Sequence, residues 1–309
     1  MEGVVYKSTG SWYQVKEADG KLWNARMKGI FKLDGITSTN PIAVGDRVDF
    51  DIENEGEHSV IITKIHDRHN YINRQSPKIK SQQHIVAANV DQSLMIATLK
   101  EPRTSQGFID RFLVACEMYH VPALILFNKT DLYKQKELEK LEKLVDVYER
   151  IGYKAMGISL KNREGLEAIA GILKDKVTLI SGHSGVGKST FINAVLPDAL
   201  ARTQDVSGWS GKGQHTTTFA EMYDLPGGGK IIDTPGMKEF GVVHVEKQEL
   251  SGYFPEMRSR LQDCQFNNCL HVNEPGCAIK EAVVEGAIDE DRYISYYNIL
   301  ESIDEQTWK

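Results

Sequence analysis

The chain has 309 residues, of which 41% are hydrophobic and 26% are charged, and its formal net charge is −6. This composition argues against a disordered chain, and the lack of an apolar run of about 18 residues argues against a membrane-spanning one. The negative net charge argues against a protein that binds nucleic acid through overall positive charge alone. The first residues show no secretory signal, so a cytoplasmic location is expected.

The first predicted unit, residues 1–68, is a small β-barrel. Its apolar and polar residues alternate in short segments such as 45–50 and 60–62, and Asp-Gly and Gly-Asp turn signals occur between them. Alternation with a period of two is typical of strands that bury one face. About five such strands predict a barrel of the oligonucleotide-binding (OB) type. A barrel that packs against its neighbour and binds nothing is the alternative.

Residues 69–84 are predicted to be a basic linker. Across residues 64–84, five lysine and arginine side chains accompany one aspartate, and the apolar periodicity is weak. Such a segment is usually a solvated connector, but beside a barrel it could also follow the phosphates of a nucleic acid.

Residues 85–245 are predicted to form an α/β domain, because apolar runs typical of buried strands alternate with helical patterns. Between these runs, apolar residues recur at helical spacing, for example over residues 138–148, where Gly152 marks the stop. This alternation predicts a mostly parallel sheet with helices on both faces. The strand-like runs lie at 93–97, 124–127, 153–158, 177–180 and 231–232.

The strongest motif follows the fourth of these runs. The sequence GHSGVGKS at 182–189 fits the phosphate-binding pattern G-x-x-x-x-G-K-[ST], and it stands between a strand and an amphipathic helix, as that pattern requires. Its backbone N–H groups are expected to surround a phosphate chain, with Lys188 reaching the β and γ phosphates and Ser189 binding Mg²⁺. The predicted phosphate-binding residues are Gly182, His183, Ser184, Gly185, Val186, Gly187, Lys188, Ser189 and Thr190.

A second motif predicts which base is bound. Residues 128–131 (NKTD) follow a strand, at the end of the sheet where α/β proteins bind ligands. The carboxylate of Asp131 can accept hydrogen bonds from N1–H and the exocyclic amine of guanine, whereas adenine offers no such pair of donors. Alone, the motif could be a β–α turn with a helix cap; with the phosphate loop it predicts a guanine site. The predicted base-binding residues are Asn128, Lys129, Thr130, Asp131 and Ser159.

A third motif, DTPG at 233–236, also follows a strand. Asp233 is expected to hold Mg²⁺ through a water molecule, and the N–H of Gly236 is expected to donate to the γ phosphate. The glycine- and hydroxyl-rich segment 207–218 is predicted to be a switch that supplies one threonine to Mg²⁺, or else a surface loop without function. The candidate threonines are Thr216, Thr217 and Thr218.

The order of these motifs is circularly permuted. In the usual GTP-binding domain the phosphate loop comes first and the base-reading motif fourth, whereas here residues 128–131 precede residues 182–189. A parallel sheet tolerates this order because packing sets the positions of its strands, so that neighbouring termini can be joined and the chain opened elsewhere. The central domain is therefore predicted to be a circularly permuted P-loop GTPase domain.

The last predicted unit, residues 246–309, is mostly helical and contains a cysteine cluster. Three of the four cysteines and one histidine fall within 14 residues. Three thiolates and an imidazole can fill a tetrahedral structural zinc site, which leaves no open position for catalysis. Free core cysteines and a redox or disulfide role are the alternatives. The predicted zinc ligands are Cys264, Cys269, His271 and Cys277.

Together, the barrel, the permuted motifs NKTD, GHSGVGKS, GQHTTT and DTPG, and the cluster C-x4-C-x-H-x5-C resemble the RsgA family of bacterial ribosome biogenesis GTPases over nearly the whole chain. The resemblance implies a Mg²⁺-dependent enzyme that binds the small (30S) ribosomal subunit, including its 16S rRNA and proteins, and acts in its late maturation. Hydrolysis of GTP to GDP is expected to be faster on the subunit. The barrel and zinc module are expected to contact RNA. Recognition of RNA by its shape does not require a basic protein, so it is compatible with the acidic net charge. A monomer without membrane contact is expected.

The resemblance also implies a catalytic role for the histidine of GQHTTT, His215. Met237 follows the DTPG motif, where many GTPases carry a glutamine that orients water, so another group must place the water. A structural or RNA-contacting role for His215 is the alternative. For the whole protein, the competing hypotheses are an assembly chaperone in which hydrolysis serves only release, and a metabolic kinase or ATPase.

Overall fold

The computed structural model describes residues 1–27, 41–75, 83–196, 219–234 and 245–307. Within these ranges the chain forms a β-barrel, a mostly parallel sheet between helices, and a helical C-terminal region. None of the helices in these ranges combines the length and the apolar character needed to cross a lipid bilayer.

The N-terminal barrel has five strands: β1 (Glu2–Ser8), β2 (Tyr13–Lys16), β3 (Leu22–Met27), β4 (Arg47–Asn54) and β5 (Ser59–Ile65). They pair in the order β1-β2-β3-β5-β4, and β4 pairs back with β1, so that the barrel closes. Alternate side chains point inward, as at Tyr13 and Val15 of β2, and form a core with Trp23 and Phe50. The predicted OB-type barrel is confirmed.

Two further strands, β6 (Tyr71–Gln75) and β7 (Gln83–Ala88), form an antiparallel pair. The prediction of a basic linker over 69–84 did not include these strands, because the apolar periodicity there is weak, and β7 crosses the predicted boundary after residue 84. The barrel contacts β7 closely at Gly45. This glycine has a φ of +95°, and a Cβ there would lie 2.0 Å from the carbonyl oxygen of Ala88, so no larger residue fits.

The central sheet contains β8 (Gln92–Ala97), β9 (Ala123–Phe127), β10 (Lys154–Gly157), β11 (Val177–Ser181), β12 (Glu221–Asp224) and β13 (Lys230–Asp233). Its order is β10-β9-β8-β11-β13-β12, and each neighbouring pair is parallel except β12–β13. Five of these strands coincide with the predicted apolar runs. The strand β12 does not correspond to a predicted run, because only Met222 in it is buried.

Helices cover both faces of this sheet: α1 (Gln106–Met118), α2 (Gln135–Arg150), α3 (Leu166–Leu173) and α4 (Lys188–Val195). Successive residues of β8 show the two layers. Met95 and Ala97 share a core with α1 and α2, whereas Leu94 and Ile96 share a second core with α3 and α4. The predicted α/β architecture is confirmed, and the alternation follows from the opposite directions of neighbouring side chains in a strand.

The barrel and the central sheet are joined through β1 and β12, which pair antiparallel at Lys7 and Glu221. The Nζ atom of Lys7 lies 2.9 Å from Oε2 of Glu221. One residue before, the hydroxyl of Tyr6 donates to Oδ1 of Asp224 at 2.7 Å, and Lys16 of β2 forms an ion pair with the same carboxylate. Hydrogen bonding therefore runs without a break from the barrel into the sheet.

The C-terminal region contains α5 (Lys247–Leu250), α6 (Pro255–Arg258), α7 (Ala278–Val284) and α8 (Glu290–Thr307). The long helix α8 packs along α1. Tyr296, Ile299 and Leu300 of α8 share a hydrophobic core with Val114 of α1. The C-terminal region is therefore docked on the face of the central domain that α1 covers.

A buried ion network fixes α8 to α1. The guanidinium of Arg292 donates to Oδ1 of Asp110 on α1 at 2.7 Å, and to the two carboxylate oxygens of Glu256 on α6 at 2.7 and 3.1 Å. The hydroxyl of Tyr148 on α2 donates to the same oxygen of Asp110 at 2.9 Å. The side chains of Arg292 and Asp110 are almost completely buried. Removing Arg292 would leave two buried carboxylates without their counter-charge, and removing Asp110 would leave the buried guanidinium with Glu256 as its one remaining carboxylate.

Replacing Asp110 with alanine should lower the free energy of unfolding by about 3–5 kcal/mol, because a buried guanidinium loses one of its two carboxylates. Chemical denaturation of the purified protein measures this change. Arg258→Ala is the matched control, since it removes a solvent-exposed ion pair with Glu117 at 2.9 Å and should cost about 1 kcal/mol or less. Equal losses from the two substitutions would contradict the importance of the buried network.

Candidate nucleotide and zinc sites

The phosphate loop connects β11 to α4, which begins at Lys188. At two positions of this loop only glycine fits, because a neighbouring segment of the chain lies too close for a Cβ atom. Gly182 has a φ of +143°, and a Cβ there would lie 2.3 Å from the carbonyl oxygen of Ile96. Gly187 has a φ of +107°, and a Cβ there would lie 2.4 Å from Nδ2 of Asn128. Because no side chain fits at either position, the loop can lie directly against β8 and the NKTD motif.

The side chain of Lys188 lies over the phosphate loop. Its Nζ atom donates to the carbonyl oxygens of Gly182 and His183, the latter at 2.7 Å. Asp233 ends β13, which runs parallel to β11 beside the loop. Burial lowers the pKa of Lys188 and raises the pKa of Asp233, and the attraction between the two charges opposes both shifts. An ammonium and a carboxylate are thus close together at the end of the sheet.

Asn128 joins the base-reading motif to the phosphate loop. Its Nδ2 atom donates to the carbonyl oxygen of Val186 at 2.8 Å, and its Oδ1 atom accepts from the backbone N–H of Leu160 at 3.2 Å. The hydroxyl of Tyr133 donates to the carbonyl oxygen of Asn128 at 2.7 Å. The side chain of Asn128 is buried. It therefore holds together three loops that are far apart in the sequence.

Asp131 lies in a short 3-10 turn after β9. Its Oδ1 atom accepts a hydrogen bond from the hydroxyl of Ser159 at 2.8 Å, and that hydroxyl accepts from the backbone N–H of Asn162 at 3.2 Å. Its Oδ2 atom lies 3.8 Å from Nζ of the exposed Lys161. Ser159 is buried and orients the carboxylate of Asp131, a relationship that the sequence did not indicate.

One border of this site is not indicated by the sequence: the segment from the end of β8 to the first turn of α1. A Cβ on Gly185 would lie 3.4 Å from Cδ of Pro102, so this segment touches the phosphate loop. The ring of Phe108 on α1 stacks on the imidazole of His183, with 3.6 Å between the ring centroids. Residues of this kind leave no motif, because their partners come from a distant part of the chain.

The remaining predicted nucleotide residues are divided between the described and the undescribed parts of the chain. Lys129, with a φ of +68°, donates from Nζ to the carbonyl oxygen of Glu101, and the N–H of Thr130 donates to the carbonyl oxygen of Ile158. The exposed residues of the phosphate loop and the first turn of α4 are Ser184, Gly185, Ser189 and Thr190. The predicted residues outside the described ranges are His215, Thr216, Thr217, Thr218 and Gly236.

The four predicted zinc ligands converge in the C-terminal region. Their ligand atoms lie within 4.8 Å of one another, and all four residues are buried: Cys264, Cys269, His271 and Cys277. Nδ1 of His271 lies 3.6 Å from Sγ of Cys264 and 3.4 Å from Sγ of Cys277. Tetrahedral zinc, with Zn–S of about 2.3 Å and Zn–N of about 2.0 Å, separates neighbouring ligand atoms by about 3.5–3.8 Å. The cluster therefore fits a zinc ion, with Nδ1 as the imidazole ligand.

The loop that carries His271 is anchored on both sides. The carboxylate of Glu274 accepts backbone N–H bonds from residues 270, 272 and 273 at 2.9 to 3.1 Å. Burial acts against ionisation of this carboxyl group, but these hydrogen bonds outweigh it and lower the pKa of Glu274 to about 2. The hydroxyl of Tyr293 on α8 donates to the carbonyl oxygen of His271 at 2.6 Å. The position of the imidazole is therefore fixed by its own loop and by α8.

Comparison with known proteins gives matches along most of the chain. The family model described as RsgA GTPase matches residues 65–243, and the one described as RsgA N-terminal domain matches residues 2–61. A protein of Bacteroides fragilis named small ribosomal subunit biogenesis GTPase RsgA is 50% identical over 309 residues, which covers 100% of this chain and 99% of the relative. A protein of Christiangramia forsetii with the same name is 50% identical over 303 residues, which covers 97% of this chain and 96% of the relative.

Two solved structures share the fold over nearly the full length. YjeQ from Thermotoga maritima superposes with a TM-score of 0.78 at 32% identity, covering 97% of both chains. YloQ, described as a circularly permuted GTPase, superposes with a TM-score of 0.75 at 29% identity, covering 99% of this chain and 95% of that one. The predicted combination of a barrel with a permuted GTPase domain therefore matches both of these structures.

Proposed function

Because this chain belongs to the RsgA GTPase family, whose members hydrolyse GTP, we propose that it binds the small (30S) ribosomal subunit and acts in its late maturation. The observation that carries this proposal is the sequence identity of 50%, over nearly the whole chain, with proteins named small ribosomal subunit biogenesis GTPase RsgA. Hydrolysis is proposed to be slow in the free enzyme and faster on the subunit, because binding to a partner can order the groups that position water.

We assign guanine to Asp131 and the phosphates to residues 182–189. The hydrogen bond from Asn128 to Val186 supports this assignment best, because it brings the base-reading motif against the phosphate loop. A carboxylate held by Ser159 is pre-oriented to accept from the N1–H and the amine of guanine. The ammonium of Lys188 would offset negative charge on the β and γ phosphates.

We propose that Ser189 binds Mg²⁺ directly and that Asp233 holds it through a water molecule, with a threonine of 216–218 as a further ligand. Hydroxyl and carboxylate oxygens are the hard donors that this ion prefers. When bound, Mg²⁺ would neutralise charge that develops on the phosphates. The N–H of Gly236 is proposed to donate to the γ phosphate.

We propose that His215 positions the attacking water, since Met237 stands where many GTPases carry a glutamine. His215→Ala should lower the turnover number by about 10²-fold, in line with the loss of a group that positions a nucleophile, while GTP affinity stays nearly unchanged. Single-turnover hydrolysis and equilibrium binding, measured on the same preparation, check the two halves of this expectation. A collapse of GTP binding in the variant would show that the catalytic assignment is wrong.

We propose that the chain has four parts: a barrel (1–68), a basic linker (69–84), the GTPase domain (85–245) and a zinc module (246–309). The whole protein is proposed to act as a monomer. The barrel and the zinc module are proposed to lie on ribosomal RNA. In support, Trp12 in the turn between β1 and β2 is 56% exposed, and an exposed indole offers a surface on which unpaired bases can stack. The zinc ion is proposed to be structural, because its four protein ligands leave no open position.

Adding small ribosomal subunits should raise the rate of GTP hydrolysis by about tenfold or more, because the catalytic groups of the free enzyme become ordered only when the partner is bound. Phosphate release is measured with small subunits, with large subunits as the matched control, and without ribosomal particles. Co-sedimentation in GDP and in a non-hydrolysable GTP analogue then tests binding itself. Equal hydrolysis rates in all three samples would refute stimulation by the small subunit.

A further inference from the structure

The first turn of α1 contacts the phosphate loop through two rings. The ring of Phe108 and the imidazole of His183 are stacked, with 3.6 Å between centroids and 29° between planes. The backbone N–H of Phe108 donates to the side chain of Ser105, which caps this helix. The aromatic side chain therefore projects from a helix end whose conformation is fixed by the cap.

The same histidine also supplies one of the two backbone acceptors that hold the loop lysine, the other being Gly182. The carbonyl oxygen of His183 accepts a hydrogen bond from Nζ of Lys188 at 2.7 Å. A stack on the side chain restrains the backbone of the residue that carries it, and that backbone supplies the acceptor. The position of Phe108 is thus connected to the position of the ammonium through a single residue, His183.

The helix that carries Phe108 is itself held firmly. Asp110, two residues further along α1, is buried and accepts hydrogen bonds from Arg292 of α8 at 2.7 Å and from Tyr148 of α2 at 2.9 Å. At the start of the same turn, Nε2 of Gln106 lies 3.5 Å from Oδ1 of Asp289 in the C-terminal region. The C-terminal region and α2 therefore fix the end of α1 from which the aromatic ring projects.

We propose that Phe108 is a positioning residue for GTP and GDP binding: by stacking on His183 it holds the phosphate loop in the conformation that presents Lys188 to the β and γ phosphates. This inference rests on the proposed role of residues 182–189 in binding phosphate. Phe108 itself does not touch the nucleotide in this scheme. Its effect is specific to phosphates that the ammonium reaches, and it does not extend to the base.

The test compares the affinities of GTP, GDP and GMP for four proteins: the full chain and its Phe108→Leu, Phe108→Tyr and Phe112→Leu variants. Displacement of a fluorescent GDP analogue measures the three affinities, and thermal unfolding measures stability. Phe112→Leu is the matched control, because it makes the same change one turn later on α1, at a buried core residue that belongs to the α1–α2 core. Phe108→Tyr preserves the aromatic stack.

Phe108→Leu should weaken GDP and GTP binding by about fivefold, as expected for the loss of one aromatic stack, and leave GMP binding unchanged because GMP lacks the phosphates that Lys188 reaches. Phe108→Tyr should restore the affinity for GDP. Phe112→Leu should lower the unfolding temperature without changing any affinity. Unchanged GDP affinity in a folded Phe108→Leu protein, or equal loss for GMP, would overturn the inference. Failure of the unmodified protein to bind GDP would instead refute the assignment of the phosphate loop.

Discussion

Replacing Asp131 with asparagine should weaken GTP binding by about 10²-fold and give the protein affinity for xanthosine triphosphate. The carboxylate can accept from two donors of guanine, and an amide can accept only one of them and places an N–H against the other. Xanthine carries a carbonyl group where guanine has its amine, so the amide of the variant can donate to it. Calorimetric titration of both proteins with GTP and xanthosine triphosphate measures the exchange of specificity.

Two controls separate base recognition from damage to the loop. Ser159→Ala removes the hydroxyl that donates to Asp131 but keeps the carboxylate, so GTP should bind more weakly while xanthosine triphosphate gains nothing. ATP should compete poorly with GDP for the unmodified protein. If ATP displaces GDP as well as GTP does, or if Asp131→Asn keeps its GTP affinity, then Asp131 does not read the base.

Replacing Cys269 with serine should release the metal and unfold the C-terminal module. Metal binding contributes about 10–16 kcal/mol to the folding of small zinc modules, which exceeds the stability of many whole domains. The loss should therefore appear as unfolding of this region rather than as a small shift in stability. Elemental analysis after exhaustive dialysis should give one zinc per unmodified chain and much less in the variant, and hydrogen exchange should rise along α7 and α8.

Cys116→Ser is the matched control for this substitution. Cys116 is as buried as the cluster cysteines, but it lies on α1 in the core of the central domain. Its replacement should lower stability while leaving the zinc content at one per chain. A dialysed, metal-free protein that remains fully folded would remove the zinc assignment, and equal loss of metal from both variants would show that the effect is not specific to the cluster.

The predictable parts of the site are those in which chemistry and spacing are continuous in the sequence. The phosphate loop combines the required glycines with Lys188 and lies between a strand and a helix, and the structure shows why Gly187 has no room for a side chain. The zinc cluster is predictable for the same reason, since all of its ligands fall within a short segment. The strands β8, β9 and β11 are almost entirely buried and therefore read as apolar runs, whereas β12 buries only Met222 and leaves no such run.

The parts that escaped prediction depend on contacts between distant residues. Arg292 and Asp110 are 182 positions apart, and nothing in either local sequence indicates a buried ion pair. The strands β6 and β7 are short and carry basic and polar residues, so their apolar periodicity in the sequence is weak. Leu160 contributes a backbone N–H to Asn128, and a backbone group has no signature in the sequence. Such features become visible only when the topology brings the loops together.

The pairing of β1 with β12 has a consequence for any shortened form of this protein. A chain that lacks the barrel would present β12 as a bare sheet edge, with unpaired backbone groups that can recruit a strand from another molecule. In such a chain the carboxylates of Glu221 and Asp224 would also lose their ion-pair partners, Lys7 and Lys16. A form of the protein without the barrel is therefore expected to aggregate more readily than the full chain.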